Sequence, residues 1–226
     1  MNLKKIIDVI RSFPKSAYIN IKYLPFNQAF KLPILIYHKS EVDIHGKILI
    51  NESYDNIKTG MIRIGFNREK HIDPSLHSIL YLESNSSMIF NGEAHIGYGS
   101  KIIIHKNGRL ELGKKFNVSS NIIIRVSKSV IIKDDVLFSW DCEVLDSDSH
   151  KIYKSPVSIS NPDKEIQIGN HVWIGNGVQI LKGSKIPDNC VIASKSRITN
   201  TVFQDSTIIK SGCIANSCKK IYKWEK

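Results

Sequence analysis

The sequence predicts an all-β protein, a solenoid of short stacked strands, and two observations lead to this fold class. In the second half of the chain an isoleucine returns at every sixth residue, at Ile168, Ile174, Ile180, Ile186, Ile192 and Ile198. The residue four places after each isoleucine is small or β-branched: Val172, Val178, Ser184, Cys190, Ser196 and Val202. A period of six fits neither one face of an α-helix nor the alternation of a flat strand, but it fits one short strand followed by a corner. Stacking such repeats lets each one cover the apolar face of its neighbour.

The composition is that of a globular protein. The 226 residues are enough for one sizeable core, and 42% hydrophobic with 23% charged residues is the balance of a folded domain rather than a disordered one. Apolar runs such as LPILIY, near Ile34, are too short to span a bilayer. The start, MNLKKIIDVIRSF, is interrupted by Asp8 and Arg11, which argues against a cleavable signal peptide. Four cysteines without a C-x-x-C pair are expected to be small apolar residues in a reducing compartment: Cys142, Cys190, Cys213 and Cys218.

The elements follow in order along the chain. A short amphipathic helix is expected at the start, and we expect its apolar face to pack on the end of the solenoid or on a neighbouring subunit rather than on a membrane. Its apolar residues are Leu3, Ile6, Ile7, Val9, Ile10 and Phe13. The helix belongs to residues 1–75, which lead into a solenoid of residues 76–209. Earlier segments show the same six-residue period, and short insertions shift its register between segments: Ile96 and Ile102; Leu112, Val118 and Ile124; Ile132, Phe138 and Val144. A proline-containing loop, residues 151–165, interrupts the repeats, and residues 210–226 form a basic tail.

The formal net charge of +11 is concentrated at the two ends of the chain. Residues 1–31 contain six basic residues against one acidic residue, and residues 210–226 contain five against one. Such ends suit a phosphate-bearing cofactor, an acidic glycan or an anionic membrane surface. No helix-turn-helix, zinc-finger or RNP pattern accompanies them in the sequence, so nucleic acid is not expected as a partner.

Three polar residues at the entrance of the loop have the chemistry of an active site: Asp146, Asp148 and His150. A histidine takes a proton from a hydroxyl near neutral pH, and a carboxylate on its other ring nitrogen fixes the tautomer and stabilises the imidazolium. Taken alone, the pattern fits a solvated loop or a metal site as well as a catalytic base. Asp148 falls on the small, inward position of the repeat, so it is also a candidate for a buried corner carboxylate bonded to the backbone.

The segment DSDSHKIY, followed by the loop and by IGNHVWIG, resembles the catalytic segment of the bacterial hexapeptide-repeat acyltransferases. The resemblance covers residues 90–200, and the stretches INIKYLPFNQAFKLPI and IKTGMIRIGF are similar to the amino-terminal region of capsule and surface-polysaccharide acetyltransferases. It implies a left-handed parallel β-helix of hexapeptide repeats, three to a coil, with a protruding loop and a short N-terminal helix. It also implies that His150 is the general base. We assign Asp148 as the carboxylate that orients it and Asp146 as the second candidate for that role and as an acceptor-binding residue.

The remaining site residues are implied by the same resemblance. A bulky aromatic such as Trp173 is typical of a core or a subunit interface. A tryptophan at this position also lines the active site of related polysaccharide O-acetyltransferases, so Trp173 is assigned to the catalytic site and Trp140 to the wall of the acceptor site. Ser119 is assigned to the acceptor site where the galactoside branch of the family has an asparagine. This departure argues against acceptor recognition of the galactoside type.

The implied donor is acetyl-CoA, which would lie along the later coils with its thioester near His150. Four residues would flank its pantetheine arm: Asn176, Ala193, Ser194 and Thr199. Lysines of the tail would meet its phosphates, namely Lys210, Lys220 or Lys223. The chain reads ASKS where relatives carry a run such as Gly-Ala-Gly-Ser, and Asn200 replaces a lysine, so altered donor binding is expected.

These observations lead to one preferred function and to alternatives. We expect an O-acetyltransferase that moves an acetyl group from acetyl-CoA to a sugar hydroxyl of a capsular or other surface polysaccharide or its precursor. It would act in the bacterial cytoplasm as a homotrimer, with weak association with the membrane surface at most. The alternatives are N-acetylation of an amino sugar or transfer to serine in the same fold, and a non-catalytic β-helix scaffold. A γ-type carbonic anhydrase is disfavoured because its three zinc histidines have no evident counterparts, and no metal is expected.

Overall fold

The computed structural model describes residues 3–66, 76–155, 158–199, 207–209 and 218–220. Two α-helices come first, α1 (Leu3–Tyr23) and α2 (Phe26–Ala29), and a 3₁₀ helix covers Tyr54–Asn56. The strands are β1 (Ile34–Ile36), β2 (Glu41–Ile44), β3 (Lys47–Ile50), β4 (Ile62–Ile64), β5 (Ile79–Leu82), β6 (Ser87–Phe90), β7 (Ala94–Tyr98), β8 (Lys101–Ile104), β9 (Arg109–Leu112), β10 (Phe116–Ser120), β11 (Ile123–Val126), β12 (Ser129–Ile132), β13 (Leu137–Phe138), β14 (Glu143–Leu145), β15 (Tyr153–Ser155), β16 (Ser158–Ile159), β17 (Ile166–Ile168), β18 (Trp173–Ile174), β19 (Gln179–Leu181), β20 (Lys185–Ile186), β21 (Val191–Ile192), β22 (Arg197–Ile198), β23 (Thr207–Ile209) and β24 (Cys218–Lys220).

The chain forms three sheets of mainly parallel strands. Each turn of the solenoid, called a coil, adds one strand to each sheet. Sheet A has the order β1-β4-β7-β10-β13-β18-β21-β23-β24, sheet B the order β2-β5-β8-β11-β14-β19-β22, and sheet C the order β3-β6-β9-β12-β17-β20. The exceptions are two antiparallel pairs, β15 with β16 and β23 with β24. Neighbouring strands of one sheet belong to successive coils, so the architecture is a parallel β-helix.

The core is a stack of equivalent positions from successive coils. In sheet A the registers align Ile96, Val118, Phe138, Ile174 and Ile192, and all five are completely buried. The six isoleucines of the six-residue repeat are each at most 3% exposed. Similar side chains stacked over one another fill the interior closely. The prediction that the repeat fills the core of a solenoid is confirmed.

The glycine that follows an inward aliphatic residue has a steric cause. A Cβ on Gly97 would lie 1.8 Å from the carbonyl oxygen of Ser119 in the next coil. A Cβ on Gly113 would lie 2.3 Å from the carbonyl carbon of Lys133. Both contacts are with backbone, which cannot move aside without disturbing the ladder. The coils approach this closely because these two positions carry no side chain.

Helix α1 packs its polar face against the open edge of sheet A. Asn20 donates from Nδ2 to the carbonyl oxygen of Ile34 at 2.7 Å and accepts from the amide of Ile34 at 3.1 Å. One turn earlier, Ser16 Oγ accepts from the amide of Ile36 at 3.0 Å. One turn before that, Ser12 Oγ accepts a hydrogen bond from the amide of His38, also at 3.0 Å. These three side chains, spaced by four residues on one helix face, take the place of a strand beside β1.

The expected short helix is longer than predicted and buries the opposite face. It runs for 21 residues and passes through Pro14. Of the apolar residues that predicted it, Ile7, Val9, Ile10 and Phe13 are exposed. The edge strand offers unpaired N–H and C=O groups, which polar side chains satisfy and apolar side chains do not. The predicted packing of the apolar face on the end of the solenoid is therefore wrong.

The solenoid begins before the predicted boundary at residue 76. β1, β2 and β3 form a complete first coil, and they pair with β4, β5 and β6 in the parallel registers of the later coils. Residues 51–61, which include the 3₁₀ helix, separate this coil from the next and interrupt the six-residue period. Of the predicted tail, the structure describes residues 218–220. No helix in the described part of the chain combines the length and the apolar character needed to cross a membrane.

Candidate active site

A loop interrupts the stacking after β14. The chain leaves sheet B at Leu145 and returns in sheet C at Ile166, where β17 pairs with β12. The antiparallel strands β15 and β16 lie between these points. The first arm of the loop carries the three polar residues singled out in the sequence, Asp146, Asp148 and His150.

Asp146 is a structural residue of the fold. Its side chain is completely buried, and its carboxylate accepts hydrogen bonds from the amides of Ser127 (2.7 Å), Lys128 (2.8 Å) and Ser129 (2.7 Å). Burial raises the pKa of this carboxyl, and the three amides oppose the rise. The inward position that the sequence assigned to Asp148 is therefore that of Asp146. The acceptor-binding role predicted for Asp146 does not fit its burial.

Asp148 is exposed and holds the loop to the next coil. Its Oδ2 accepts from Lys182 Nζ at 2.5 Å and from Asn161 Nδ2 at 2.9 Å. The hydrogen bond from Lys182, followed by that from Asn161, holds the pKa of the Asp148 carboxyl below its ordinary value. Asp148 is thus bound by a cation and an amide.

His150 lies exposed on the same arm. Its carbonyl oxygen accepts from Asn161 Nδ2 at 2.8 Å. The preceding residue, Ser149, has a φ of 63°, a left-handed conformation that costs free energy in a non-glycine residue. Within the described part of the chain the imidazole makes no hydrogen bond. One chain by itself therefore does not bring Asp148 and His150 into the predicted pair.

Asn161 connects the two arms of the loop, and the sequence did not reveal it. Besides Asp148 and His150 it binds Ile152, whose amide donates to Asn161 Oδ1 at 2.6 Å. From the next coil, Lys182 donates to the carbonyl oxygen of Asn161 at 3.2 Å. The loop lies outside the repeat, so no period could mark Asn161, and the proline that follows it is the local sign of a turn.

Two adjoining cavities, of about 520 and 300 Å³, lie beside the first arm. His150 lines the larger cavity and Asp148 the smaller one. Both are lined by His105, Arg125, Ser127, Ser147 and Ser149. Volumes of this size are typical of small-molecule sites. A larger cavity, of about 890 Å³, lies between α1 and sheet B, and its lining contains none of the predicted site residues.

His105 has a carboxylate partner that the local sequence does not indicate. Its Nδ1 lies 3.1 Å from Glu83 Oε1, so this nitrogen is assigned the proton that the carboxylate accepts. Glu83 also accepts from the amide of Lys106 at 2.8 Å. The contact with His105, followed by that with Lys106, lowers the pKa of Glu83. His171 is paired in the same way with Asp135, at 2.6 Å. Both pairs join residues of different coils, so they become visible once the coils are stacked.

A second group of predicted site residues lies on sheet A and at the corner between sheets A and B. Trp173 begins β18, is 40% exposed, and donates from Nε1 to Ser139 Oγ at 3.3 Å. Ser119 lies in β10, and Trp140 follows β13 and is half exposed. None of these residues lines the two cavities beside His150. Within one chain, the predicted catalytic and acceptor residues therefore form two separate groups.

The predicted donor residues are divided between the same two regions. Asn176, Ala193 and Ser194 lie at the corner between sheets A and B in consecutive coils, where Lys195 N donates to Asn176 O at 2.8 Å. Thr199 lies at the other end of sheet B, directly after β22. Of the lysines expected to meet the CoA phosphates, Lys210 and Lys223 lie outside the described residues, and Lys220 is described as the last residue of β24.

The two cysteines whose side chains are described, Cys142 and Cys190, are both buried. Burial raises the pKa of the Cys142 thiol to about 11, so this thiol is not an activated nucleophile. Both are the small interior residues that the sequence indicated. Among the residues that the structure describes, no group of three or more His, Cys, Asp and Glu side chains could hold a metal ion.

Residues 165–200 match a family model described as bacterial transferase hexapeptide, with six repeats. The match begins where the chain returns to the sheets at β17 and runs through β22. The isoleucines that repeat at every sixth residue of this segment are the ones that fill the core. It confirms the predicted fold class, an all-β left-handed parallel β-helix.

Two relatives have related descriptions. Polysialic acid O-acetyltransferase of Neisseria meningitidis is 28% identical over 153 residues, which are 64% of this chain and 69% of that protein. Galactoside O-acetyltransferase of Escherichia coli (strain K12) is 32% identical over 111 residues, which are 48% of this chain and 49% of that protein. The chain is therefore similar in sequence to proteins described as O-acetyltransferases. The matched family and these relatives indicate an acyltransferase.

Among solved structures, the polySia specific acetyltransferase NeuO aligns with 84% of this chain and 74% of its own chain, at 20% identity and a TM-score of 0.42. In the present chain, the matched repeats begin directly after the loop that carries His150. The cavities beside that loop are therefore the candidate active site.

Proposed function

We propose that this protein is an O-acetyltransferase that moves an acetyl group from acetyl-CoA to a sugar hydroxyl of a capsular or other surface polysaccharide or its precursor. The observation that carries the proposal is the position of His150. Its imidazole is exposed on a loop held by Asn161, beside cavities of ligand size and directly before the matched repeats. The descriptions of two relatives as O-acetyltransferases support the reaction class.

In the proposed reaction His150 acts as a general base. One imidazole nitrogen takes the proton of the acceptor hydroxyl while the hydroxyl oxygen attacks the carbonyl carbon of the thioester. Collapse of the tetrahedral intermediate breaks the carbon–sulfur bond, and the CoA thiolate takes the proton from the imidazolium. The sugar oxygen keeps the acetyl group as an ester, without a covalent acyl-enzyme. The raised thiol pKa of Cys142 agrees with this direct route.

Asp148 is assigned as a positioning residue in this scheme. It acts through Asn161, whose Nδ2 binds both the Asp148 carboxylate and the His150 carbonyl oxygen. Lys182 fixes the same carboxylate from the next coil. The loop is therefore anchored at Asp148 and at the backbone of His150 itself, which limits the directions in which the imidazole can move.

We further propose that the working form is a homotrimer in which each site is completed between subunits. The support is the division of the predicted residues in one chain, with His150 at the corner between sheets B and C and Trp173 on sheet A. In a closed ring with heterologous contacts, one surface of each copy meets a different surface of the next, and here these surfaces would be the corner between sheets B and C and sheet A. Ser119, Trp140 and Trp173 of one subunit would then face His150 of another. The proposed compartment is the cytoplasm, where acetyl-CoA is available.

The test of the base compares two histidines of one cavity. His150→Ala should lower kcat for acetyl transfer by roughly 10²–10⁴-fold, the range that general-base catalysis contributes, while acetyl-CoA binding and Tm stay unchanged. His105→Ala is the matched control because His105 lines the same cavity, and it should keep most of the activity. The readout is CoA release in the presence of an acceptor.

Substantial activity in His150→Ala, or a larger loss in His105→Ala, would overturn the assignment of the base. Paired acceptors that differ only in a hydroxyl or an amine distinguish O-acetylation from N-acetylation. A wild-type chain that does not bind acetyl-CoA in a calorimetric titration would be a scaffold rather than an enzyme.

A further inference from the structure

The outer side of α1 and the short helix after it carry a concentration of exposed apolar side chains, the N-terminal apolar face. Its members are Ile7, Val9, Ile10, Phe13, Ile21, Phe26 and Phe30, whereas the exposed ring of Tyr18 lines the cavity between α1 and sheet B. Ile10 and Ile21, 65% and 72% exposed, lie three helical turns apart on one stripe of α1. Phe26 and Phe30, 77% and 72% exposed, extend the surface and touch each other edge to face.

This concentration is unlike the rest of the described surface. Of its 15 exposed large apolar side chains, eight lie within residues 7–30. Single exposed apolar residues are ordinary on a soluble protein, whereas a contiguous patch of this kind marks a surface that another body covers. The polar ladder on the opposite side of α1 already satisfies the edge of β1. The N-terminal apolar face is therefore not needed to cover β1 and is available to bind a partner.

The face is directed away from the end of the solenoid. α1 occupies the place of a strand before β1, the first strand of sheet A, so its outer side points away from all the coils. Solenoids that associate side by side bury sheets and corners and leave their ends open. The occupant of the face must therefore approach the end of the β-helix.

The charge around the face favours one kind of occupant. Residues 1–31 contain six basic residues, and Asp8 is the one acidic residue among them. Arg11 and Lys22 are exposed on α1 beside the apolar stripe. Two copies that met through this face would bring two strongly basic segments together, which is electrostatically unfavourable. Anionic lipid headgroups complement the charge, and the isoleucine and phenylalanine side chains suit the boundary between headgroups and acyl chains.

We propose that the N-terminal apolar face binds the surface of an anionic lipid membrane, with α1 lying in the plane of the interface. The contact is peripheral, because α1 is fixed to β1 along its polar face. This replaces the expectation that the apolar side of the helix packs on protein. The inference goes beyond the proposed acetyl transfer and does not depend on it.

The experiment is co-sedimentation of the full chain with vesicles, in the absence of acetyl-CoA. We expect binding to vesicles of phosphatidylcholine mixed with phosphatidylglycerol, much weaker binding to phosphatidylcholine alone, and release by high salt. Ile10→Glu should lower the partition coefficient by about tenfold or more, because one buried aliphatic side chain is replaced by a charge that the lipid repels. Ile21→Glu should have a similar effect.

The matched control is Ile152→Glu, the same substitution at a 60% exposed isoleucine of the loop that follows β14 of the fifth coil, away from the N-terminal apolar face. It should leave vesicle binding unchanged. Circular dichroism establishes that all variants are folded. Absence of binding to the anionic vesicles, or an equal loss in Ile152→Glu, would overturn the proposal. So would dissociation of a soluble oligomer by Ile10→Glu without an effect on vesicles, because the face would then be an interface between copies.

Discussion

Asp146 occupies an inward position that aliphatic side chains fill in the preceding coils. Leu82, Ile104 and Val126 are aligned at this position in sheet B. After Leu145 the chain leaves the sheet, so the amides of residues 127–129 lose the backbone that would lie beside them. The carboxylate supplies the missing acceptors, which is the condition under which a buried charge is tolerated.

Asp146→Ala should lower the free energy of unfolding by about 2–4 kcal/mol, because three buried amides lose their acceptor. The control is Asp148→Ala, the same change two residues further on at an exposed site, which should cost less than about 1 kcal/mol. Urea unfolding followed by circular dichroism measures both. Equal losses in the two variants would contradict the structural role of Asp146.

The two aspartates show how far the sequence could predict the structure. The period of six located the inward isoleucines correctly, since each coil repeats the same strand and corner. Counting four places on from Val144 led to Asp148, but the chain has already left the coil at that point. The two-residue alternation of β14 continues instead to Asp146. A repeat predicts side-chain direction while the backbone remains in the sheet that imposes it.

At the scale of elements, α1 could be predicted as a helix, but its buried face could not. The apolar spacing indicated the helix correctly. The polar ladder of Ser12, Ser16 and Asn20 is also regular, yet it has meaning only beside the unpaired edge of β1. Asn161 of the loop and Lys182 of the next coil escaped prediction for the same reason, because their partners are distant in sequence and become adjacent only after the coils stack.

The loop of residues 146–165 is held by an exposed ion pair between Asp148 and Lys182. The folded protein depresses the pKa of Asp148, so the pair stabilises the closed loop wherever the carboxylate is ionised. This contribution is complete above the unfolded pKa, near 4, and disappears as the pH falls through the lower folded pKa. Between about pH 5 and pH 3, amide exchange in the loop should therefore accelerate relative to that of the β-helix core.

Lys182→Met is the matched variant for this prediction, since it keeps an unbranched apolar stem and removes the charge. At pH 5 its loop should already exchange faster than the wild-type loop relative to the core. Lowering the pH should then add little. Hydrogen exchange read by mass spectrometry makes both comparisons, and a pH step of wild-type size in Lys182→Met would refute the role of the ion pair.

At the scale of the whole molecule, the separation of His150 from Trp173 gives the proposed trimer a direct test. His150→Ala and Trp173→Ala should each be strongly impaired alone. If each site takes its histidine and its tryptophan from different subunits, random co-assembly of the two variants should restore about a quarter of wild-type activity, since one pairing in four is intact. Mixed assemblies that stay inactive would locate both residues in a site within one chain.

The even stacking of the coils gives the molecule a scale of length. Neighbouring strands of a sheet lie about 4.8 Å apart, and the loop leaves the fifth coil, four steps along the stack from β1. His150 is therefore held roughly 19 Å along the axis from the strand that α1 covers. Gaining or losing one coil below the loop would move the histidine by about 5 Å and leave its surroundings intact. The number of coils therefore sets the distance between His150 and the end of the β-helix that α1 covers.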